Sequence, residues 1–368
     1  MRCLLLAIFL LIPGCASAPP SQVDSKVRTA DVQVLRKNGG RVAWSAANNL
    51  IAYDKKGADG YYDIYVMKPD GSNDRCITCN KKGLVPQKNN GNPAWHPSGK
   101  YIVFQAEKTK HPGSSREATP GFGRYSDLWL ARKDGKRFYQ LTKDPASKDQ
   151  GVLHPHFSHN GKLLSWSEMY ERPHLFKRNQ QFGLWKLKVA DFSFGPRGPY
   201  LSNIREYEPG GPGFYENHGL SKDNRKLLYT SNTKAPIFSA FRNDVFVLDL
   251  RSGKSVQLTS KKYNEHAQWS PNGAKILWMS SVGNRGGATD YWLMNPNGTK
   301  KVRLTDLSTP DNPIARGRRL IAADSAWSPD GSRIVAYVQT NLFKQAGVIV
   351  MIKLPPEIAR EAGVRTSH

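Results

Sequence analysis

A short alternation of apolar and polar residues returns along most of the chain. Leu50-Ile51-Ala52-Tyr53, Tyr101-Ile102-Val103-Phe104, Lys275-Ile276-Leu277-Trp278 and Arg333-Ile334-Val335-Ala336-Tyr337 are rich in β-branched and aromatic residues, as buried strands are. Each follows a turn signal with an apolar anchor in front of it. The six such segments are Trp44-Ser45-Ala46-Ala47-Asn48, Trp95-His96-Pro97-Ser98-Gly99, Phe157-Ser158-His159-Asn160-Gly161, Leu220-Ser221-Lys222-Asp223-Asn224, Trp269-Ser270-Pro271-Asn272-Gly273 and Trp327-Ser328-Pro329-Asp330-Gly331. Pro-x-Gly and Asn-Gly supply the tight reversal that joins antiparallel strands. A second β run opens on an aspartate after a variable loop, as in Asp63-Ile64-Tyr65-Val66-Met67, Asp127-Leu128-Trp129-Leu130, Asp244-Val245-Phe246-Val247-Leu248 and Asp290-Tyr291-Trp292-Leu293-Met294. Another reversal (Asp70-Gly71, Asp134-Gly135, Ser252-Gly253, Asn297-Gly298) leads to a last strand ending in Ile77-Thr78, Leu141-Thr142, Leu258-Thr259 or Leu304-Thr305. Four strands in a repeating unit of roughly fifty to sixty residues predict one propeller blade per unit. The fold class is therefore all-β, a six-bladed β-propeller over residues 31–354.

The sixth unit offers only three strands before Pro355-Pro356-Glu357-Ile358-Ala359-Arg360, which reads as a short helical tail within 355–368. A spare β run, Asp31-Val32-Gln33-Val34-Leu35, precedes the first unit. This N-terminal strand is expected to complete the last blade, closing the ring without a long open edge. A monomer is expected.

The Trp-Ser-Pro-Asp-Gly, Asp-Ile-Tyr-Val-Met, Asp-Gly and Leu-Thr segments resemble the propeller repeats of the TolB family, over nearly all of residues 30–354. The resemblance implies fold and not function, since propellers host unrelated chemistries. TolB carries an α/β domain ahead of its propeller, and with the repeats beginning within about twenty residues of Cys15 no such domain is expected here. A Tol–Pal role is therefore not carried over whole.

Ahead of the repeats, Met1-Arg2 and the apolar run Leu4–Ile12 read as an export signal over residues 1–18, too short to span a bilayer. Ile12-Pro13-Gly14-Cys15 resembles a bacterial lipoprotein box, which implies cleavage before Cys15, lipidation of that cysteine and a tether over 19–30. The alternative is ordinary cleavage after Ala16-Ser17-Ala18. Residue 16 is not aspartate, so the lipoprotein pattern implies the outer membrane, with the protein held at the membrane by its lipid. Export bears on Cys76 and Cys79. In an oxidising compartment they are expected to form a local disulfide, with a redox motif or half a zinc site as the other readings.

Composition adds one fact. Lysine and arginine number 54 against 30 acidic residues, a net charge of +24. Exported and without a recognition motif, the chain is not expected to meet nucleic acid. Its basic residues point instead to an acidic envelope partner.

Candidate chemistry sits just ahead of the anchors, where the innermost strand of each blade starts at the channel. The third residue before each anchor is Arg41, Asn92, His154, Asn217, His266 or Asp324, with His156, His218, Gln268, Glu216 and Glu265 adjacent. Polar residues at a repeated position are buried only with partners, so the channel mouth is the candidate binding site. His154, His156, His218 and His266 are candidate ligands of a divalent transition metal, manganese or zinc, since converging neutral imidazoles suit such ions. His154 and His156, two apart on a strand, are expected to point the same way. The arrangement is similar to oligogalacturonate lyases, TolB-like propellers whose channel histidines hold a divalent metal and act on an acidic sugar. The loops of that face carry Lys108, Arg116, Arg124, Arg242, Arg318 and Arg319 among aromatics, a composition suited to sugar carboxylates or phosphates.

Two functions follow. The leading expectation is a non-catalytic envelope binding or scaffold propeller that engages a protein, peptidoglycan or an anionic polysaccharide through its loop-bearing channel face. The alternative is a metal-dependent lyase or hydrolase acting on acidic oligosaccharide, with no catalytic residue assigned.

Overall fold

The computed structural model describes residues 30–363 apart from 112, 146–149, 175, 178, 236–241, 310–311, 313, 316 and 342–345. The leader, Cys15 and all but the last residue of the tether lie outside the described residues.

Six four-stranded antiparallel sheets form the ring. The first blade is β2 (Val42–Ser45), β3 (Leu50–Lys56), β4 (Tyr62–Met67) and β5 (Arg75–Cys76), and the second β6 (Asn90–Trp95), β7 (Tyr101–Glu107), β8 (Ser126–Arg132) and β9 (Phe138–Gln140). The third is β10 (Gly151–Phe157), β11 (Leu163–Glu171), β12 (Leu184–Gly195) and β13 (Gly198–Tyr207). The fourth is β14 (Tyr215–Leu220), β15 (Lys226–Ser231), β16 (Asp244–Asp249) and β17 (Ser255–Gln257), and the fifth β18 (Asn264–Trp269), β19 (Ile276–Ser280), β20 (Asp290–Met294) and β21 (Val302–Arg303). The sixth holds β22 (Ile321–Trp327), β23 (Arg333–Asn341) and β24 (Ala346–Lys353), with β1 (Asp31–Arg36) antiparallel to β24 as its outermost strand. The N-terminal strand thus closes the ring as expected. Helix α1 (Pro356–Ala362) follows, and Asn272 ties its end to the fifth blade by donating to the Glu361 and Gly363 carbonyls.

Strand alternation explains the core. Ile102 and Phe104 pack toward the first blade, against Ile64 and Val66, whereas Val103 between them packs toward Leu164 and Trp166 of the third. Successive residues of a strand point to opposite faces, so each blade feeds two interfaces, and six apolar clusters fill the six gaps between blades.

The recurring polar letters hold the turns. The serine hydroxyl bonds the Asp or Asn two residues on, at 2.6 Å for Ser221–Asp223 and 2.8 Å for Ser270–Asn272, and accepts the amide that opens the next strand. The aspartate opening the third strand accepts from the threonine after the fourth: Thr78–Asp63 at 2.6 Å, Thr259–Asp244 at 3.0 Å, Thr305–Asp290 at 2.8 Å. That threonine in turn caps the third strand's free amide, as in Val245 to Thr259 at 2.8 Å. The motif is thus a hydrogen-bond rivet inside the blade.

Cys76 and Cys79 stand 1.94 Å apart, sulfur to sulfur, at the end of β5. The loop they close is short, so Cys76→Ser/Cys79→Ser is expected to lower stability by only about 1–2 kcal/mol. Urea midpoints of the two proteins check this; a collapse of folding would show that the pair does more.

Candidate functional site

The ring has two faces. The turns after the six anchors lie on one, here the turn face; the longer loops between second and third strands lie on the other, the loop face. On the turn face a funnel of about 450 Å³ is lined by Trp44, Trp95, Phe157, Leu220, Trp269 and Trp327, with His156 and His218 deeper in. On the loop face a vestibule of about 470 Å³ is lined by Arg41, Arg242, Lys262, Tyr263, His266, Arg319 and Asp324.

A cluster of imidazoles and carboxylates stands between them. It is built by one repeated irregularity: five innermost strands skip register ahead of the anchor, at Gly91/Ala94, Leu153/His156, Asn217/Leu220, Glu265/Gln268 and Ala322/Ser325. Asn92, His154 and His266 adopt positive φ there, at 55°, 48° and 50°. A left-handed backbone costs a non-glycine residue about 1–2 kcal/mol, and such bulges re-aim side chains at sites. The bulge also breaks strand alternation, so His154 and His156 do not converge. His154 turns into the cluster and His156 belongs to the funnel wall.

Asp324 lies at the centre. Its Oδ1 is 3.5 Å from His154 Nδ1 and 3.6 Å from His266 Nδ1, and its Oδ2 is 3.7 Å from Arg41 Nε. Glu216 Oε1 holds the other nitrogen of His154, Nε2, at 2.6 Å and stands 3.9 Å from His266 Nδ1. His218 sits behind Glu216, with Nε2 at 2.7 Å from Thr230 Oγ1. Glu265, 3.6 Å from His266 Nε2, accepts from the Tyr263 hydroxyl and from Asn243. The two asparagines are struts. The Asn217 side chain donates to the His154 carbonyl at 2.7 Å, and the Asn92 backbone N–H donates to Asp54 Oδ2 at 2.9 Å.

The charges follow from burial opposed by neighbours. Burial by itself lowers the His266 imidazole, but Asp324 and Glu216 outweigh it and hold it at about 10. Burial pushes Asp324 up, and His266 and His154 reverse this, leaving it well below the usual carboxylate range; Glu216 is held low in the same way. Glu265, buried beside the Glu216 charge, is pushed up to about 8, and buried Asp54 to about 6 despite Arg41. Burial first, and then nearby imidazole charge, lowers His156 to about 4 and His218 well below its ordinary value.

The donor set fits a metal. Two atoms each about 2.1 Å from a tetrahedral ion lie about 3.4 Å apart, close to both Nδ1–Oδ1 separations. His266 Nδ1 is buried without a hydrogen-bond partner, and Glu216 on His154 Nε2 leaves Nδ1 as the nitrogen facing Asp324. The ligand atoms of His154, His266 and Asp324 all lie within 4.8 Å of one another. Of the four candidate histidines, the structure brings two to this point with Asp324, while His156 and His218 line the funnel behind. Asp54, Tyr263 and Lys262 escaped the sequence reading; an aspartate inside the apolar run Ile51-Ala52-Tyr53-Asp54 was the available signal.

No protein family and no curated protein matches the chain. Solved structures do. TolB from Acinetobacter baumannii superposes with a TM-score of 0.53 at 15% identity, over 84% of this chain and 64% of that one. A gluconolactonase from Xanthomonas campestris gives 0.54 at 12%, over 89% and 90%. An oligogalacturonate lyase in complex with manganese gives 0.50 at 11%, over 92% and 96%. The chain thus spans just under two thirds of that TolB's length. At such identities the likeness is one of fold, and the fold is the TolB-like six-bladed propeller. The functions of these relatives differ, so the fold does not choose among them. Among the described residues no helix is long and apolar enough to cross a membrane.

Proposed function

We propose that the chain is an exported, envelope-held propeller enzyme that uses a divalent transition metal on His154, His266 and Asp324 to act on an acidic oligosaccharide. The observation that carries this is the approach of both Nδ1 atoms to one carboxylate oxygen, at 3.5 and 3.6 Å, at the floor of a cationic vestibule. A divalent cation there would supply Lewis acidity toward a substrate oxygen or a water. The protein's own groups do the rest. Arg41 and Arg319 would orient sugar carboxylates bidentately, Glu216 fixes the His154 tautomer, and Tyr263, held by Glu265, presents a neutral hydroxyl oxygen to a bound sugar. Burial, then the Glu265 charge, holds the Tyr263 phenol well above 10, so its hydroxyl stays protonated.

The scaffold reading rests on the same cations, since Arg41, Arg242, Lys262 and Arg319 can hold an anionic glycan or an acidic protein segment without chemistry. Elemental analysis of protein purified with manganese or zinc present separates the two. One metal per chain, lost in His154→Ala/His266→Ala, together with turnover of acidic oligosaccharide, is the expected result. Salt-sensitive glycan binding with no metal under replete conditions would leave the scaffold reading in its place.

A further inference from the structure

The third blade carries an elaboration the channel does not use. Its outer strand β13 has ten residues where β5, β9, β17 and β21 have two or three. The inner part of the blade ends at Leu163, opposite Asp191. The β12–β13 hairpin continues for four more pairs, Phe192–Leu201 to Gly195–Gly198, an overhang of about 13 Å on the turn face. It leans over the second blade: Phe194 packs on Tyr101 at 4.9 Å between ring centroids, and Phe192 on His96 at 5.7 Å. Such a projection would ordinarily hide its aromatics, yet Phe194 is 49% and Tyr200 50% exposed.

Cations surround this tip. Arg197 occupies its turn, and Lys162, Lys136 and Arg137 are exposed on the adjoining turns of the third and second blades. The described chain also begins on this face. Asp31 pairs with Lys353, which pairs with Arg333, beside the Ser328–Gly331 turn. Twenty-nine residues precede that start, and the fifteen residue steps from Cys15 to Ala30 would span at most about 50 Å.

We infer that the turn face docks on a bilayer of anionic phospholipid, with the β12–β13 tip seated at headgroup depth. Half-exposed Phe and Tyr suit the interface, where an apolar body enters and a hydroxyl stays wet, and the surrounding cations match the lipid phosphates. The chain start on the same face makes docking and tethering compatible, and it turns the catalytic vestibule away from the membrane. This inference does not depend on the metal.

The test is flotation of the full chain with vesicles of phosphatidylcholine alone or of phosphatidylcholine and phosphatidylglycerol in equal parts. Each cation near an anionic surface adds about fivefold to affinity. Arg197→Glu/Lys162→Glu is therefore expected to weaken binding to the anionic vesicles by more than about 25-fold. Lys56→Glu/Lys110→Glu, the same charge change on the loop face, should leave it within about twofold. Phe194→Ser adds a second variant, and hydrogen exchange should slow at residues 192–201 when anionic vesicles are added. Equal affinity of the tip variants and the parent, equal binding to both vesicle types, or slowed exchange confined to the loop face overturns the inference.

Discussion

Removal of residues 1–36 is expected to lower the melting temperature by about 5 °C, whereas removal of residues 1–29 should leave it within about 2 °C. The two truncations differ by little more than β1, whose pairing with β24 runs from Asp31–Lys353 to Arg36–Ile349. About half a dozen backbone hydrogen bonds at about 1 kcal/mol each would be lost, along with the half-buried side chains of Val32 and Leu35. Ordering an edge strand costs part of that, leaving about 3–5 kcal/mol net. The strand also bridges three blades. Ala30 donates to the Leu304 carbonyl of the fifth at 3.2 Å, and Arg36 meets Asp74 of the first at 2.6 Å. Without it β24 becomes an open edge, so the shorter protein should also aggregate on heating. Calorimetry of both truncations decides the matter. Equal melting temperatures would mean that the ring is held by its inter-blade clusters and that β1 only covers an edge.

The closure was legible because a missing strand leaves an arithmetic gap, and Asp31 to Leu35 was the one unassigned β run able to fill it. The repeat letters were legible for the same reason that they recur: Ser221 with Asp223, or Asp244 with Thr259, solves a local hydrogen-bonding problem that every blade shares. The site was legible by position and not by geometry. Counting three residues back from each anchor found Arg41, His154, His266 and Asp324, but alternation then paired His154 with His156 and left Asp324 out of the metal set. The reason is the bulge. One skipped register turns His154 across the channel, and no sequence rule places a positive φ on a histidine. The long β12–β13 hairpin was missed because β12 opens on Gly183-Leu184, without the aspartate that marks the third strand in four of the blades.

The metal-free protein is expected to lose stability as pH rises from about 6.5 to 10, and bound manganese to reverse much of that loss. His266 has a folded value of about 10 against 6.5 in the unfolded chain, so its contribution is complete below 6.5 and disappears as pH climbs through 10. Glu265, raised to about 8 from 4.5, acts in the same sense: between those values the unfolded chain gains by ionising and the fold does not. Asp324 and Glu216 lie below their unfolded values, so their contribution is already full above about 4.5 and adds no slope in this window. The loss is on the order of a few kcal/mol. A metal ion needs His266 neutral, so it takes the place of the proton, and its affinity strengthens over the range in which the proton's contribution fades. Denaturant midpoints at pH 6.5 and 9.5, with and without manganese, should show a steep fall in the apo protein and a flatter one in the loaded protein. Asp324→Ala supplies the control. It leaves the His266 and Arg41 charges buried without their shared carboxylate, at a cost of about 3–5 kcal/mol at pH 6.5, and it should abolish the manganese effect. An apo protein equally stable at both pH values would mean that His266 is neutral in the fold. A manganese effect that survives Asp324→Ala would place the ion elsewhere.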